Sequence, residues 1–151
     1  MGIVKRNEIG QQDCPVAQGM AAIGDAWSML IIREAFYGRD RFTDFVRHTG
    51  AQKTVVSARL KHLVESGIFE RVVSDELPLR HRYVLTPKGR GLRDMILVLG
   101  EWGRRWADEG ATFAVDLDHK ACGERLEPVV HCGSCGEAVE PGSSRPRAGR
   151  R

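Results

Sequence analysis

The chain has 151 residues, the length of one ordinary domain with room for a small appendage. Hydrophobic residues make up 42% and charged residues 28%, as in globular proteins, and no apolar run approaches the roughly 20 residues that a membrane-spanning helix needs. The N-terminal stretch lacks the apolar segment of a signal peptide, so we expect a cytoplasmic protein. The net charge of +3 conceals a local bias, because residues 39–93 hold twelve Lys or Arg and only six Asp or Glu. Such an excess suggests a polyanionic partner.

The first two predicted helices are consecutive in the sequence. Cys14-Pro15 is typical of a helix start and predicts a short helix that ends near residue 23. Asp25 is placed to cap the second helix, which ends at Gly38. Because this second helix is apolar almost all round, we expect it to be the most buried element, with Trp27 in the core.

A short amphipathic helix, RFTDFVRHTG, precedes a fourth helix, TVVSARLKHLVESG, that has two distinct faces. The spacing predicts that one face is apolar and lies in the core: Val56, Leu60, Leu63 and Val64. The opposite face is small, polar or basic: Thr54, Ser57, Ala58 and Lys61. A solvated face usually mixes both charge signs, so this one calls for a partner.

A β-hairpin and a long helix follow. IFERVV and RYVLT are rich in β-forming residues and flank a polar, Pro-containing tip. Thr86-Pro87 predicts the start of a helix through about Asp108, roughly 33 Å long. We expect its apolar stripe to meet a second copy of the chain: Leu92, Met95, Ile96, Leu99, Trp102 and Trp106. The two tryptophans could instead line a pocket at that dimer seam.

The second, third and fourth predicted helices, the hairpin and the further helix follow the order of a winged helix-turn-helix, a mainly α fold with a small β-hairpin. In that fold the last of these three helices, here TVVSARLKHLVESG, enters the major groove of DNA, and the hairpin meets an adjacent backbone. The predicted DNA-contacting residues come from this helix and from the hairpin tip: Gln52, Lys53, Thr54, Ser57, Ala58, Arg59, Lys61, Arg80, His81 and Arg82. The alternative is an ordinary helix on which Arg59 and Lys61 are merely solvated.

Several segments, in order, resemble the HxlR-type regulators of bacteria, relatives of the MarR group. They are CPVAQGMAAIGDAWSMLIIREAFYGRDRFTDF, SARLKHLVESGIFERVV and RYVLTPKGRGL, which together span roughly residues 13 to 106. The resemblance implies a homodimeric DNA-binding regulator whose first and last helices form the dimer interface. One departure is the start of the recognition helix, where AQKTVVS lacks the Pro that members often have, so base contacts do not transfer.

Cys14 has two interpretations. A cysteine beside a helix N-terminus has its thiolate stabilised by the helix dipole, which favours reactivity. Some HxlR-type relatives are described as sensing oxidants or electrophiles through a cysteine at this position of the motif. The alternative is a small buried hydrophobic residue, a role in which cysteine is common.

The composition changes after Gly110, where a Cys- and His-rich extension is predicted over residues 111–140, followed by a disordered basic tail over 141–151. The pattern HxxC, nine residues, CxxC supplies the four ligands of a tetrahedral zinc site: His119, Cys122, Cys132 and Cys135. His131 is an alternative fourth ligand. The alternatives to one zinc ion per chain are idle reduced thiols or a disulfide.

The winged helix-turn-helix and dimerisation region is predicted to span residues 1–110. No G-x-G-x-x-G, P-loop, G-x-S-x-G or H-E-x-x-H motif is present, so we do not expect an enzyme. The prediction is a sequence-specific transcriptional regulator that binds a pseudo-palindromic operator as a homodimer and responds to an oxidant or a small molecule. The alternative function is a zinc-dependent protein-interaction adaptor that uses the winged helix as a scaffold.

Overall fold

The computed structural model describes residues 9–74 and 80–147. The N-terminal stretch before residue 9, the predicted hairpin tip at 75–79 and the end of the predicted basic tail at 148–151 lie outside these ranges. The chain forms two compact units, with the boundary between Ile96 and Leu97. In the described ranges, no helix has the length and the apolar character needed to cross a bilayer.

The first unit has the element order of a winged helix-turn-helix, as the sequence predicts. It contains α1 (Pro15–Ile23), α2 (Ala26–Phe36), α3 (Phe42–Thr49), α4 (Lys53–Glu65), β1 (Phe69–Val73), β2 (His81–Leu85), the single turn α5 (Pro87–Arg90) and the start of α6 (Arg93–Arg105). The two strands pair antiparallel in one small sheet, with Phe69 opposite Leu85 and Val73 opposite His81.

Side-chain caps fix the starts of two of these helices. The Asp25 Oδ1 atom accepts a hydrogen bond from the Ser28 N–H at 3.1 Å and begins α2. The Thr86 hydroxyl accepts one from the Gly89 N–H, also at 3.1 Å, and begins α5. Both helix starts are therefore confirmed, and each follows from one side-chain oxygen that satisfies an otherwise unpaired N–H.

The core lies among α2, α3, α4 and the hairpin. Its fully buried side chains come from all of these elements: Ile31, Ile32, Phe45, Val56, Leu60, Leu63, Ile68 and Phe69. The Phe45 ring meets Phe69 and Tyr83 edge to face, with centroid separations of 6.1 and 6.3 Å. Phe45 therefore joins α3 to both strands of the hairpin.

The prediction that Trp27 lies in the core is wrong, since its side chain is 39% exposed. The buried stripe of α2 instead begins one residue later, at Ser28, and continues through Ile31 and Ile32. Adjacent helical positions point about 100° apart, so Trp27 falls outside that stripe. Glu34 is also buried and is paired with the guanidinium groups of Arg33 and Arg39.

The prediction of one continuous helix from residue 86 to 108 is wrong. A turn at Gly91 and Leu92 separates α5 from α6, and the Leu92 N–H donates to the Gly89 carbonyl at 3.0 Å. Glycine is a poor helix former, and two glycines in three residues weaken the helix at this point. The continuous helix α6 has 13 residues and is therefore about 20 Å long.

Two residues assigned to the dimer stripe belong to the core of their own chain. Leu92 and Ile96 are partly buried and pack against the core cluster of the first unit. Since both already contact their own chain, the exposed stripe on α6 is narrower than the sequence pattern predicts.

The second unit contains the remainder of α6 and the extension that follows it. Arg125 Nη1 lies 2.8 Å from Glu101 Oε2, and Arg104 Nη2 lies 2.5 Å from Asp116 Oδ1. The hydrogen bond from Arg125 holds the pKa of the Glu101 carboxyl below its usual value. These pairs link α6 to the extension within this unit.

Gly89 offers a direct test of the junction between α5 and the hairpin. A Cβ at this position would lie 2.2 Å from the Ile68 carbonyl oxygen. We therefore expect Gly89→Ala to lower the free energy of unfolding by about 1–3 kcal/mol. Gly91→Ala is the matched control, because its Cβ would meet nothing closer than 3.4 Å, and its effect should stay within about 1 kcal/mol. Urea denaturation measures both, and equal effects would contradict the assigned close approach.

Candidate functional site

Helix α4 is held in place by its apolar face. Val56, Leu60 and Leu63 are each at most 1% exposed and lie in the core. A polar contact reinforces this packing, because the His62 Nε2 atom lies 3.0 Å from the Ala22 carbonyl oxygen at the end of α1. The orientation of α4 is therefore set by contacts with the rest of the first unit.

The opposite face of α4 is open to solvent. Six of the predicted DNA-contacting residues are exposed: Gln52, Lys53, Thr54, Ser57, Ala58 and Lys61. The Gln52 side chain makes no capping hydrogen bond, so the backbone N–H groups of the first turn remain for an external acceptor such as a phosphate. This brings hydroxyl, amide, ammonium and backbone donors together on one surface.

An acidic residue borders this surface at its C-terminal end. Lys61 Nζ lies 3.8 Å from Glu65 Oε1, and both side chains are more than half exposed. Exposed pairs at this helical spacing contribute only about 0.5 kcal/mol or less, so Lys61 is readily drawn away by a phosphate. The face is therefore acid-free over its first two turns and not along its whole length.

Arg59, a predicted DNA contact, forms an ion pair with another helix. Its Nε atom is 2.5 Å from Asp25 Oδ2, and both side chains are about three-quarters buried. Arg59 thus ties α4 to the start of α2, and we leave it out of the proposed DNA contacts. Helical periodicity alone does not separate Arg59 from Lys61, because the acidic partner comes from another helix.

The three basic residues predicted at the hairpin tip differ in their exposure to solvent. Arg80 and His81 are exposed at the end of the described part of the hairpin. Arg82 is half-buried, and its Nη1 atom lies 3.5 Å from Asp40 Oδ2 in the α2–α3 connection. The Tyr83 N–H donates to the Asp40 carbonyl at 2.8 Å, so this connection anchors β2. Arg80 and His81 are therefore available to a ligand, whereas Arg82 supports the hairpin.

Cys14 occupies the N-cap position of α1. The side chain is half-buried and makes no capping hydrogen bond. The helix that it begins carries Val16 and Met20 on its surface, exposed by 70% and 49%. The predicted redox residue therefore stands next to an exposed apolar strip.

Helix α6 exposes a second apolar strip. Four of the six residues predicted at the dimer interface are exposed, at spacings of three and four: Met95, Leu99, Trp102 and Trp106. Val98 is also exposed on this helix, and the sequence-based prediction missed it although it fits the same spacing. Four large apolar side chains on one short helix, with Trp106 directly after its end, are unusual for a surface that faces water.

The predicted zinc ligands form two separate pairs. His119 Nδ1 lies 3.3 Å from Cys122 Sγ, and Cys132 and Cys135 are hydrogen-bonded to each other. The backbone N–H groups of Ser134 and Cys135 donate to the Cys132 sulfur and lower the pKa of that thiol. In the ranges 9–74 and 80–147, no three His, Cys, Asp or Glu side chains lie close enough to hold one ion.

Comparison with known proteins identifies the family. The model of the HxlR-like helix-turn-helix family matches residues 22–111. The chain belongs to the HxlR-like helix-turn-helix family. An uncharacterised HTH-type transcriptional regulator of Mycobacterium tuberculosis is 37% identical over 134 residues, which cover 89% of this chain and 85% of the relative. The chain is thus of the transcriptional-regulator type, with a winged helix-turn-helix fold.

Two solved structures extend the comparison. PA1607, a candidate transcription factor, is 33% identical with a TM-score of 0.82 and covers 93% of this chain and 98% of its own. The oxidised form of the redox regulator HypR is 30% identical with a TM-score of 0.59. HypR matches 63% of this chain and 99% of its own, so its likeness lies mainly in the winged-helix part of this HxlR-type chain.

Proposed function

We propose that this HxlR-type regulator binds double-stranded DNA as a homodimer on a pseudo-palindromic operator. The observation that carries the proposal is the exposed face of α4, which presents donors without an acidic residue over its first two turns. An acidic group there would repel the phosphate backbone, whereas small residues permit the close approach that major-groove contact requires.

Each part of the α4 surface has its own role in this proposal. The N-terminal N–H groups, with Gln52 and Lys53, bind a phosphate and set the register of the helix. Thr54 and Ser57 offer hydroxyls to base edges, and Ala58 lets the helix sit deep in the groove. Lys61 contacts the backbone farther along.

The hairpin supplies a second contact. Arg80 directly precedes β2 and His81 is its first residue, and both are exposed, so they reach a neighbouring phosphate run or the minor groove. Arg82 and its Asp40 partner keep the hairpin fixed against the α2–α3 connection. A fixed hairpin loses less conformational entropy on binding than a loose one.

The exposed apolar strips on α1 and α6 support the proposed dimer. Val16 and Met20 on α1, and Leu99 and Trp102 on α6, would each leave a large apolar area in water if the chain stayed alone. A two-fold dimer buries the same surfaces on both copies. It also places two recognition helices about 34 Å apart, which matches successive major grooves on one side of DNA.

An oxidant is the proposed effector, acting at Cys14. HypR is named a redox regulator, and Cys14 begins the helix that carries Val16 and Met20. In this step Cys14 and a second thiol lose two protons and two electrons to the oxidant and form a disulfide. The new bond displaces the start of α1 and thereby the proposed dimer interface.

Lys61→Ala tests the recognition face. Each lost phosphate contact means that about one counterion fewer is released on binding. The slope of log K against log salt concentration should therefore become shallower by about one per helix and about two per dimer. We expect affinity for operator DNA to fall roughly three- to tenfold at physiological salt. Fluorescence anisotropy against salt concentration measures both. Lys120→Ala, a matched loss of one exposed lysine in the extension, is the control and should bind like the parent.

The Lys61 experiment has two results that oppose the proposal. Parent-like binding at every salt concentration would show that the assigned face does not meet DNA. Weak, sequence-independent retardation by the parent itself would instead favour the adaptor function. Fragments selected from genomic DNA by the parent chain supply the operator for this assay.

Trp102→Glu tests the dimer. A charge on the exposed strip of α6 would be desolvated in the interface, so we expect the variant to elute as a monomer where the parent is a dimer. Light scattering during size exclusion measures the mass directly. Val73→Glu is the control, because Val73 is also apolar and 58% exposed but lies on the hairpin. If both variants stay dimeric, the interface lies elsewhere.

Cys14→Ser tests the effector site. We expect diamide to release the parent from its operator by at least about tenfold in affinity and to leave the variant bound. Dithiothreitol should restore binding by the parent. Release of the variant by the same diamide treatment would assign the response to other thiols and remove Cys14 from the mechanism, without affecting the DNA-binding proposal.

A further inference from the structure

The extension contains a tight turn at residues 119–124 with a distinctive set of backbone hydrogen bonds. The His119 N–H donates to the Glu124 carbonyl, and the Gly123 N–H donates to the His119 carbonyl, both at 2.8 Å. Gly123 adopts a φ of 76°, which a side chain would oppose. Outside the turn, the Leu126 N–H donates to the Leu117 carbonyl at 2.7 Å, so the flanking residues run antiparallel.

A second turn, at residues 132–137, repeats this geometry. The Cys132 N–H donates to the Glu137 carbonyl, and the Gly136 N–H donates to the Cys132 carbonyl, both at 2.8 Å. Gly136 has a φ of 79°, and the Val139 N–H donates to the Val130 carbonyl at 2.8 Å. Each of these four features has its counterpart thirteen positions earlier, so the extension consists of two equivalent turns.

Metal-binding side chains occupy the same two positions in both turns, the first and the fourth. They are His119 and Cys122 in the first turn, and Cys132 and Cys135 in the second. Ligands of one tetrahedral zinc ion, at about 2.0 Å for nitrogen and about 2.3 Å for sulfur, lie about 3.6 Å apart. The separation of 3.3 Å between His119 Nδ1 and Cys122 Sγ is close to that value.

The extension lacks the apolar core that would fold two such turns unaided. Between residues 107 and 147, all of which the structure describes, no residue is buried. Segments below about 40 residues usually need a disulfide, a metal or a partner for stability. The three cysteines of the extension are all unpaired thiols in this structure.

We propose that residues 117–139 bind one zinc ion through His119, Cys122, Cys132 and Cys135. The ion displaces three thiol protons to solvent and takes a neutral imidazole and three thiolates as ligands. Because the two pairs do not meet around one point in this structure, binding draws the second turn toward the first. His131, which directly precedes Cys132 in the chain, lines the same groove as His119 and Cys122.

His131 is not among the proposed ligands, although its position in the sequence allows it. Its Nδ1 atom lies 2.9 Å from the Gly136 carbonyl oxygen and so closes the second turn on itself. Four ligands already fill a tetrahedral site, which makes the site structural. Arg125 directly follows the first turn and pairs with Glu101 on α6.

Zinc content of the purified full-length chain tests the proposal. Preparation under reducing conditions without chelator should give about one zinc per chain by emission spectroscopy. Cys122→Ser and Cys132→Ser should each lower the zinc content at least about fivefold, because three ligands hold the ion far more weakly than four. Cys14→Ser is the matched control and should retain the full equivalent. His119→Asn should lose zinc, whereas His131→Asn should keep it.

Cobalt substitution provides a readout that is independent of yield and solubility of the variants. The parent loaded with cobalt should show the intense visible bands of a tetrahedral ion and thiolate-to-metal charge transfer. Less than about half an equivalent of zinc in the reduced parent, together with no such bands, would overturn the proposal. So would a parent mass lower by two hydrogens, which indicates a disulfide, or zinc content that none of the three ligand substitutions changes.

Discussion

The whole arrangement depends on one constraint, that α4 has to serve the core and an external surface at the same time. Its apolar residues Val56, Leu60 and Leu63 are fully buried, and these contacts fix the rotation of the helix about its axis. A rotation by one position, about 100°, would bury Ser57 and Lys61 and expose leucines. The exposed polar face therefore has a unique direction, which a helix held by fewer contacts would not provide.

Two polar contacts add to this constraint, and they show which charges belong to the fold. Arg59 pairs with Asp25, and His62 meets the Ala22 carbonyl, so both attach α4 to the junction between α1 and α2. Asp25 also caps α2 through its other oxygen. One carboxylate thus sets the start of α2 and the placement of α4, which couples the two helices to each other.

The sequence predicts the elements well because their signals are local. A capping oxygen, a glycine or a proline acts within a few residues, and Asp25, Thr86 and Pro15 each mark a helix start correctly. Of the errors, the break at Gly91 follows from a local glycine signal that the apolar pattern outweighed, whereas the exposure of Trp27 depends on partners distant in the sequence. Trp27 and Ser28 are neighbours, and only the packed core decides which is buried. For the candidate site, periodicity identifies the exposed face of α4 but cannot show that Arg59 has an acidic partner on another helix.

The extension shows how far the geometry of a turn depends on the identity of its side chains. Its two turns, HKACGE and CGSCGE, end in the same Cys-Gly-Glu and differ at the first three positions, the first of which is histidine in one turn and cysteine in the other. Backbone hydrogen bonds depend weakly on side-chain identity, so equal turns form although their second and third residues differ. The two turns thus share side chains with metal affinity at the first and fourth positions, a glycine with positive φ and a glutamate. Such a duplicated turn, in a segment without a buried residue, is what the proposed zinc site requires.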